Sequence, residues 1–140
     1  VVHQRKTKPI HSTKDLKELF SFMPPHKQNK FFAQVFQAIR IEVNEELEAL
    51  KEMLVQVHRV LKPEGRLVVI SYHSLEDRLV KRFLKNGKFE GEPERDIYGN
   101  YQKAFELLQS KAIVPTDEEI EQNSRARSAK MRIGIKVGAV

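Results

Sequence analysis

Residues 61–81, LKPEGRLVVISYHSLEDRLVK, constrain the fold of this chain more than any other stretch. Lys62-Pro63-Glu64-Gly65 stops a helix with a turn. Arg66 to Tyr72 is a β-branched apolar run without clean alternation, which predicts a strand buried on both faces, as in a parallel sheet. Ser74-Leu75-Glu76-Asp77 reads as an N-cap with a capping-box acid, Ser74 being the cap. Leu75, Leu79, Val80, Phe83 and Leu84 then form the apolar stripe of a helix that Asn86-Gly87 ends. A helix, a glycine turn, a buried strand and a second helix make up half of a wound α/β sheet.

The flanking segments fit that frame. Residues 1–12 lack any period and read as linker. Ser12 to Asp15 starts a helix with Leu16, Leu19 and Phe20 on one stripe, and Pro24-Pro25 is expected to end it. Phe32, Val35, Phe36, Ile39, Val43, Leu47, Leu50, Leu54, Val57 and Leu61 step by three and four over residues 28–61. Such a helix is longer than most, and Asn44 offers a cap for a second segment and hence a break. Residues 86–103 read as an exposed insertion, Ala104 to Leu108 as a short strand or helix, and Thr116 to Glu119 as the start of an acidic helix. At the end, Met131, Ile133, Ile135 and Val137 alternate with Arg132, Gly134 and Lys136 as a period-2 strand.

The 140 residues suffice for one modest domain. The absence of cysteine excludes disulfides and thiolate metal sites and fits a reducing compartment. No apolar run approaches the roughly 20 residues of a membrane span, and no secretory leader is present, so a cytoplasmic location without membrane contact is expected. The chain begins Val1-Val2, which predicts a piece of something longer. The net charge of +6 runs in blocks. Residues 1–30, 66–88 and 123–140 are basic and the stretches between them acidic. Brought together, the basic blocks make a phosphate-facing surface; left apart, they are ordinary solvated faces.

Several chemistries are excluded. There is no G-x-S-x-G elbow, no H-x-x-x-H or H-E-x-x-H spacing, and no Walker A or G-x-G-x-x-G loop. No metal site is therefore expected. Ligands of open α/β sheets bind beyond the carboxyl ends of strands, which makes His73, Ser74 and Arg78 candidates to line a cleft, with Lys81 further out. Arg125, Arg127 and Lys130 lie in an acid-free stretch suited to phosphate contacts. Arg40 and Asn44 are spaced i, i+4 and share a helix face. Their bland alternative is an ion pair of Arg40 with a nearby glutamate.

Three ordered stretches, FQAIRIEVNEEL (36–47), GRLVVISYHSLEDRLVKRF (65–83) and NSRARSAKMR (123–132), resemble the bacterial RsmH (MraW) family over about residues 28–137. That family comprises S-adenosylmethionine-dependent methyltransferases acting on the N4 of a cytosine in 16S ribosomal RNA. The resemblance implies an α/β fold, the C-terminal half of a Rossmann-like (class I) methyltransferase sheet with part of an inserted helical domain. On that reading residues 1–40 end the inserted domain and residues 41–140 belong to the catalytic domain. It further implies S-adenosylmethionine as the cofactor of the full-length enzyme and 16S rRNA or the small ribosomal subunit as the partner. Arg40, Asn44, Lys81, Arg125, Arg127 and Lys130 are then the candidates for rRNA contact. The chain departs from the family at Gln34, Glu64 (where a Gly-Gly pair is usual), Tyr72 and Ser124. The family's glycine-rich loop, the acidic end of its second strand and its fourth-strand motif have no counterpart here. No cofactor-binding or catalytic residue is therefore assigned within these 140 residues, and the isolated chain is expected to be inactive. Half a sheet exposes a strand edge, so self-association through that edge is expected. A stand-alone RNA-binding or adaptor domain is the alternative function, and a plain α/β structural domain the third reading.

Overall fold

The computed structural model of the chain describes residues 1–93, 97–98, 101 and 103–137. It forms two compact units, residues 1–45 and 46–140.

The first unit is helical. After a 3-10 turn at Gln4–Lys6, α1 spans Thr13–Glu18 and α2 spans Pro25–Asn44. Ser12 caps α1 in a reciprocal box, its Oγ accepting from the Asp15 amide while Asp15 Oδ2 accepts from the Ser12 amide. The proline pair does not end α1, which stops at Glu18. Pro25 instead opens α2 as its first residue, where the missing N–H costs nothing. Buried Leu16 and Phe32 anchor the unit, and the Phe20, Phe31, Phe32 and Phe36 rings make edge and tilted contacts over them. The long periodic stretch is broken, as Asn44 suggested. Glu45 takes a left-handed φ of 51° and ends α2.

The second unit contains α3 (Glu46–Val60), β1 (Arg66–Ser71), α4 (Ser74–Asn86), β2 (Phe105–Leu107), α5 (Asp117–Gln122), a 3-10 turn (Ser124–Ser128) and β3 (Lys130–Lys136). The three strands form one sheet in the order β1-β3-β2, with β3 antiparallel to both neighbours. β1 was expected in a parallel sheet with both faces covered. Among the described residues its one partner is β3, with Leu67 opposite Gly134 and Val69 opposite Arg132. Leu67 and Ser71 are buried, whereas Val68, Ile70 and Tyr72 are 52%, 54% and 59% exposed. The apolar run thus covers one face against the helices and leaves the other open.

β3 keeps the expected period of two, with Met131, Ile133 and Ile135 half-buried and Arg132, Gly134 and Lys136 as its buried set. Each is accommodated for its own reason. Arg132 meets Asp77, and Lys136 Nζ donates to the carbonyls of His58 and Leu61 at 2.7 and 2.8 Å. Those carbonyls lie at the end of α3, where a cation complements the helix dipole. A Cβ on Gly134 would lie 2.6 Å from Leu84 Cδ2, so only glycine lets α4 approach the strand there. Leu54, Leu67, Val80, Phe83, Leu84, Ala104 and Phe105 form the core on that same face.

Of the expected insertion at 86–103, residues 94–96, 99–100 and 102 lie outside the described residues. No helix among the described residues is long and apolar enough to cross a membrane.

Candidate functional site

The carboxyl end of β1 runs through Tyr72 and His73 into α4. His73, not Ser74, is the N-cap. Its backbone is extended (φ −135°, ψ 161°), and its Nδ1 accepts from the Glu76 amide at 3.4 Å. Glu76 Oε2 accepts in return from the amides of Tyr72 (3.0 Å) and His73 (3.4 Å). The capping box is thus present one residue earlier than the hydroxyl suggested, with an imidazole nitrogen in the acceptor role usually filled by oxygen. Ser74 is the first residue of the helix.

This cap sets the chemistry of the ring. A neutral imidazole whose Nδ1 accepts a hydrogen bond carries its proton on Nε2. That Nε2 is buried and has no well-aligned acceptor, and it lies 3.1 Å from Glu76 Oε1. Glu46, the first residue of α3, brings a second carboxylate to the same place. Ligand-capable atoms of Glu46, His73 and Glu76 all lie within 4.8 Å of one another. Two of the three sequence stretches singled out, VNEEL and HSLEDR, therefore meet at the end of β1. Histidine spacing in the sequence gave no hint of this cluster, because it holds a single histidine and its third member, Glu46, comes from a turn far away in sequence. Glu46 was missed altogether; the available signal was an acid opening a helix immediately after a break. The cap leaves a proton on the nitrogen facing the carboxylates. In that tautomer the cluster sets one ring N–H beside two carboxylates.

The third stretch is tied to the second through Asp77. Arg132 Nε and Nη2 donate to Asp77 Oδ1 and Oδ2 at 2.7 and 3.2 Å, a two-pronged pair in a buried setting. Lys130 Nζ lies 3.6 Å from Asp77 Oδ2. Burial opposes ionisation of Asp77, but the hydrogen bonds and charge of Arg132, with Lys130, outweigh it and hold the carboxyl below its ordinary range. Lys130 is thus partly committed to an internal partner.

The remaining candidates fall into three places. Ser74, Arg78 and Lys81 are exposed and spaced i, i+4 and i+7, so they line one outward stripe of α4. Arg125 and Arg127 are exposed on the 3-10 turn that the buried Ala126 anchors and Asn123 Oδ1 caps. Arg40 and Asn44 sit on the exposed side of α2 in the first unit.

Comparison with known proteins agrees with these motifs. A model of the MraW methylase family matches residues 1–137. The chain is 57% identical over 138 residues to the ribosomal RNA small subunit methyltransferase H of Flavobacterium johnsoniae, covering 98% of this chain and 45% of that protein. It is 59% identical to the proteins of the same name from Amoebophilus asiaticus and Parabacteroides distasonis. Those matches cover 96% and 98% of this chain and 44% and 45% of the relatives. The chain therefore spans a little under half the length of these relatives, and on the match over 1–137 it belongs to the MraW methylase family.

Proposed function

We propose that this chain is the C-terminal half of an S-adenosylmethionine-dependent methyltransferase that methylates the N4 of a cytosine in 16S rRNA. The observation that carries the reading is the open side of the sheet. β1 has a strand on one side only among the described residues, and its outer face exposes Val68, Ile70 and Tyr72. A strand of this composition belongs to the middle of a larger sheet. The relatives, more than twice as long, have chain to supply the rest. Residues 1–40 are read as the end of an inserted helical domain. The cytoplasm, where ribosomes are assembled, is the compartment that fits.

In that enzyme the sulfonium of the cofactor supplies the methyl group. A cytosine amine is a weak nucleophile because its lone pair is delocalised into the ring, so placement dominates the rate. Acceptors for the amine hydrogens localise that lone pair and take up developing charge. Glu46 and Glu76 are the carboxylates this chain offers at the cleft end of β1, with the His73 Nε2–H between them as a donor. Ser74, Arg78 and Lys81 extend the same edge. Arg125 and Arg127, with Lys130 in part, face the rRNA backbone, and Arg40 and Asn44 add contacts from the first unit. A stacked target base has to leave its stack to reach such a pocket.

The isolated chain is read as inactive. The β1–α4 turn, Ser71-Tyr72-His73, contains no glycine and cannot cradle a cofactor as a glycine-rich loop does. Titration calorimetry with S-adenosylmethionine is expected to show no micromolar binding, and micromolar binding would refute this part of the reading. The same open edge is where the isolated chain self-associates. Analytical ultracentrifugation is expected to show dimers that a lysine at Val68 or Ile70 reduces to monomers; a monomer at all concentrations opposes it.

A further inference from the structure

We infer that Phe22 is a stacking platform for a single-stranded RNA base, with the exposed lysines of the adjoining helices taking the phosphates on either side. The inference rests on the rRNA reading above and names a contact point for it in the first unit.

The first unit contains five phenylalanines, and four of them pack on one another. Phe20 lies 4.9 Å from Phe31 and 6.2 Å from Phe32, edge-on to both, and Phe36 packs at 6.3 Å against Phe32. Phe22 stands apart: it is 79% exposed and touches the cluster only through Phe20, 6.3 Å away and tilted by 48°. The turn that carries it is fixed. The Met23 amide donates to the Phe20 carbonyl at 3.0 Å, and Gln28 Nε2 donates to the Met23 carbonyl at 2.8 Å. The ring is thus held outward by backbone bonds on a packed aromatic base.

The segment that carries it is strongly basic. Residues 1–30 hold seven Lys/Arg against two acids. Both acids have partners: Asp15 closes the α1 capping box, and Glu18 lies 3.6 Å from Lys8. Lys17, exposed at the end of α1, lies over the Phe32 ring at 5.5 Å, within the same aromatic cluster. Lys27 and Lys30 are exposed on the first turns of α2, which carries no acid in its first turn. Exposed aliphatic side chains such as Val43 are ordinary surface. An exposed π face on the segment between two helices that both carry exposed lysines matches the way single strands are held, by stacking on an aromatic and by electrostatic tracking of the backbone.

The test is fluorescence anisotropy of a labelled single-stranded RNA of roughly 12 nucleotides, a length within the usual site size, titrated with the 140-residue chain over a salt series. Phe22→Leu keeps an apolar side chain without a π face and is expected to weaken binding by about 5- to 150-fold, the range for losing one base–aromatic stack. Its salt slope stays unchanged, and Phe22→Trp restores affinity. Lys27→Ala and Lys30→Ala instead flatten the slope, by up to about 0.7 each. Far-ultraviolet circular dichroism confirms that the variants fold. If Phe22→Leu binds as the wild type does while removal of Arg125 and Arg127 weakens binding, stacking at Phe22 is wrong and the rRNA reading survives. If the wild-type chain shows no salt-dependent RNA binding, the Phe22 platform fails, and the rRNA reading is then tested on the full-length enzyme. Phe22-dependent binding to phosphatidylserine vesicles, with RNA binding unaffected, would overturn the inference in favour of a lipid surface.

Discussion

Asp77 shows how much one carboxylate organises in this chain. It joins α4 to β3 through Arg132 and draws in Lys130, so two of the three signature stretches share a single buried anion. Breaking such a pair leaves an uncompensated cation inside, at a cost of about 3–5 kcal/mol, whereas replacing both partners by apolar residues is often neutral. Asp77→Asn is accordingly expected to lower urea stability by that order, and an Asp77→Leu/Arg132→Met double variant to lower it much less. Titration of the same residues sets a pH response. Burial, with the nearby Lys136 charge, pushes His58 below its ordinary value, and Asp77 is held low as well. Both groups have a folded-state pKa below the unfolded one. Each therefore contributes stability that is present above its unfolded pKa and lost as pH falls through the folded one. Melting temperature is expected to begin falling below about pH 6.5 from His58 and to fall further below about pH 4 from Asp77. His58→Leu should remove the first phase and leave the second.

At the scale of elements, the turns carry the departures. Lys62-Pro63-Glu64-Gly65 closes with the Gly65 amide donating to the Lys62 carbonyl at 2.9 Å. Proline at the second position and a positive φ of 63° at Glu64 mark a type II turn, whose third position favours glycine. Glu64, standing where the family usually has glycine, thus places a Cβ in the left-handed region. Glu64→Gly is expected to raise stability by about 0.5–1 kcal/mol, the left-handed penalty less glycine's extra chain entropy. Chemical denaturation measures it, and a loss of stability would show that the Glu64 side chain matters more than its backbone. Gly65 has no such latitude, since a Cβ there would sit 2.7 Å from Leu61 Cγ and 2.8 Å from the Lys62 carbonyl oxygen. β3 makes the complementary point. Its period of two is as expected, and its polar side is the buried one because Asp77 and two helix-end carbonyls satisfy the charged side chains and Gly134 admits Leu84.

For the whole molecule, charge is the property that follows the sequence most directly. The chain carries +6 in alternating blocks, and the exposed Arg125 and Arg127 lie in the last basic one. Alanine at both positions is expected to flatten the salt dependence of RNA binding by about 1.4 on a single strand, the release expected from two phosphate contacts. An unchanged slope, measured by anisotropy or filter binding, counts against their role. Lys130→Ala should change the slope less, since Asp77 already holds part of that charge.

The sequence by itself determined the elements and the family. Helical spacing, the Gly65 and Gly87 stops, the β-branched run and the three signature stretches depend on neighbours within a few residues, and local sterics and hydrogen bonding decide them. The turn from the carboxyl end of β1 into α4 was legible for the same reason, although the cap fell on His73 and not on Ser74. What only the tertiary structure decided is who meets whom. That Glu46 joins His73 and Glu76, that Asp77 is shared by Arg132 and Lys130, and that β3 turns its charged side inward all depend on residues far apart in sequence. A buried charge is tolerable only where its partner arrives, and no local pattern records where that partner will come from.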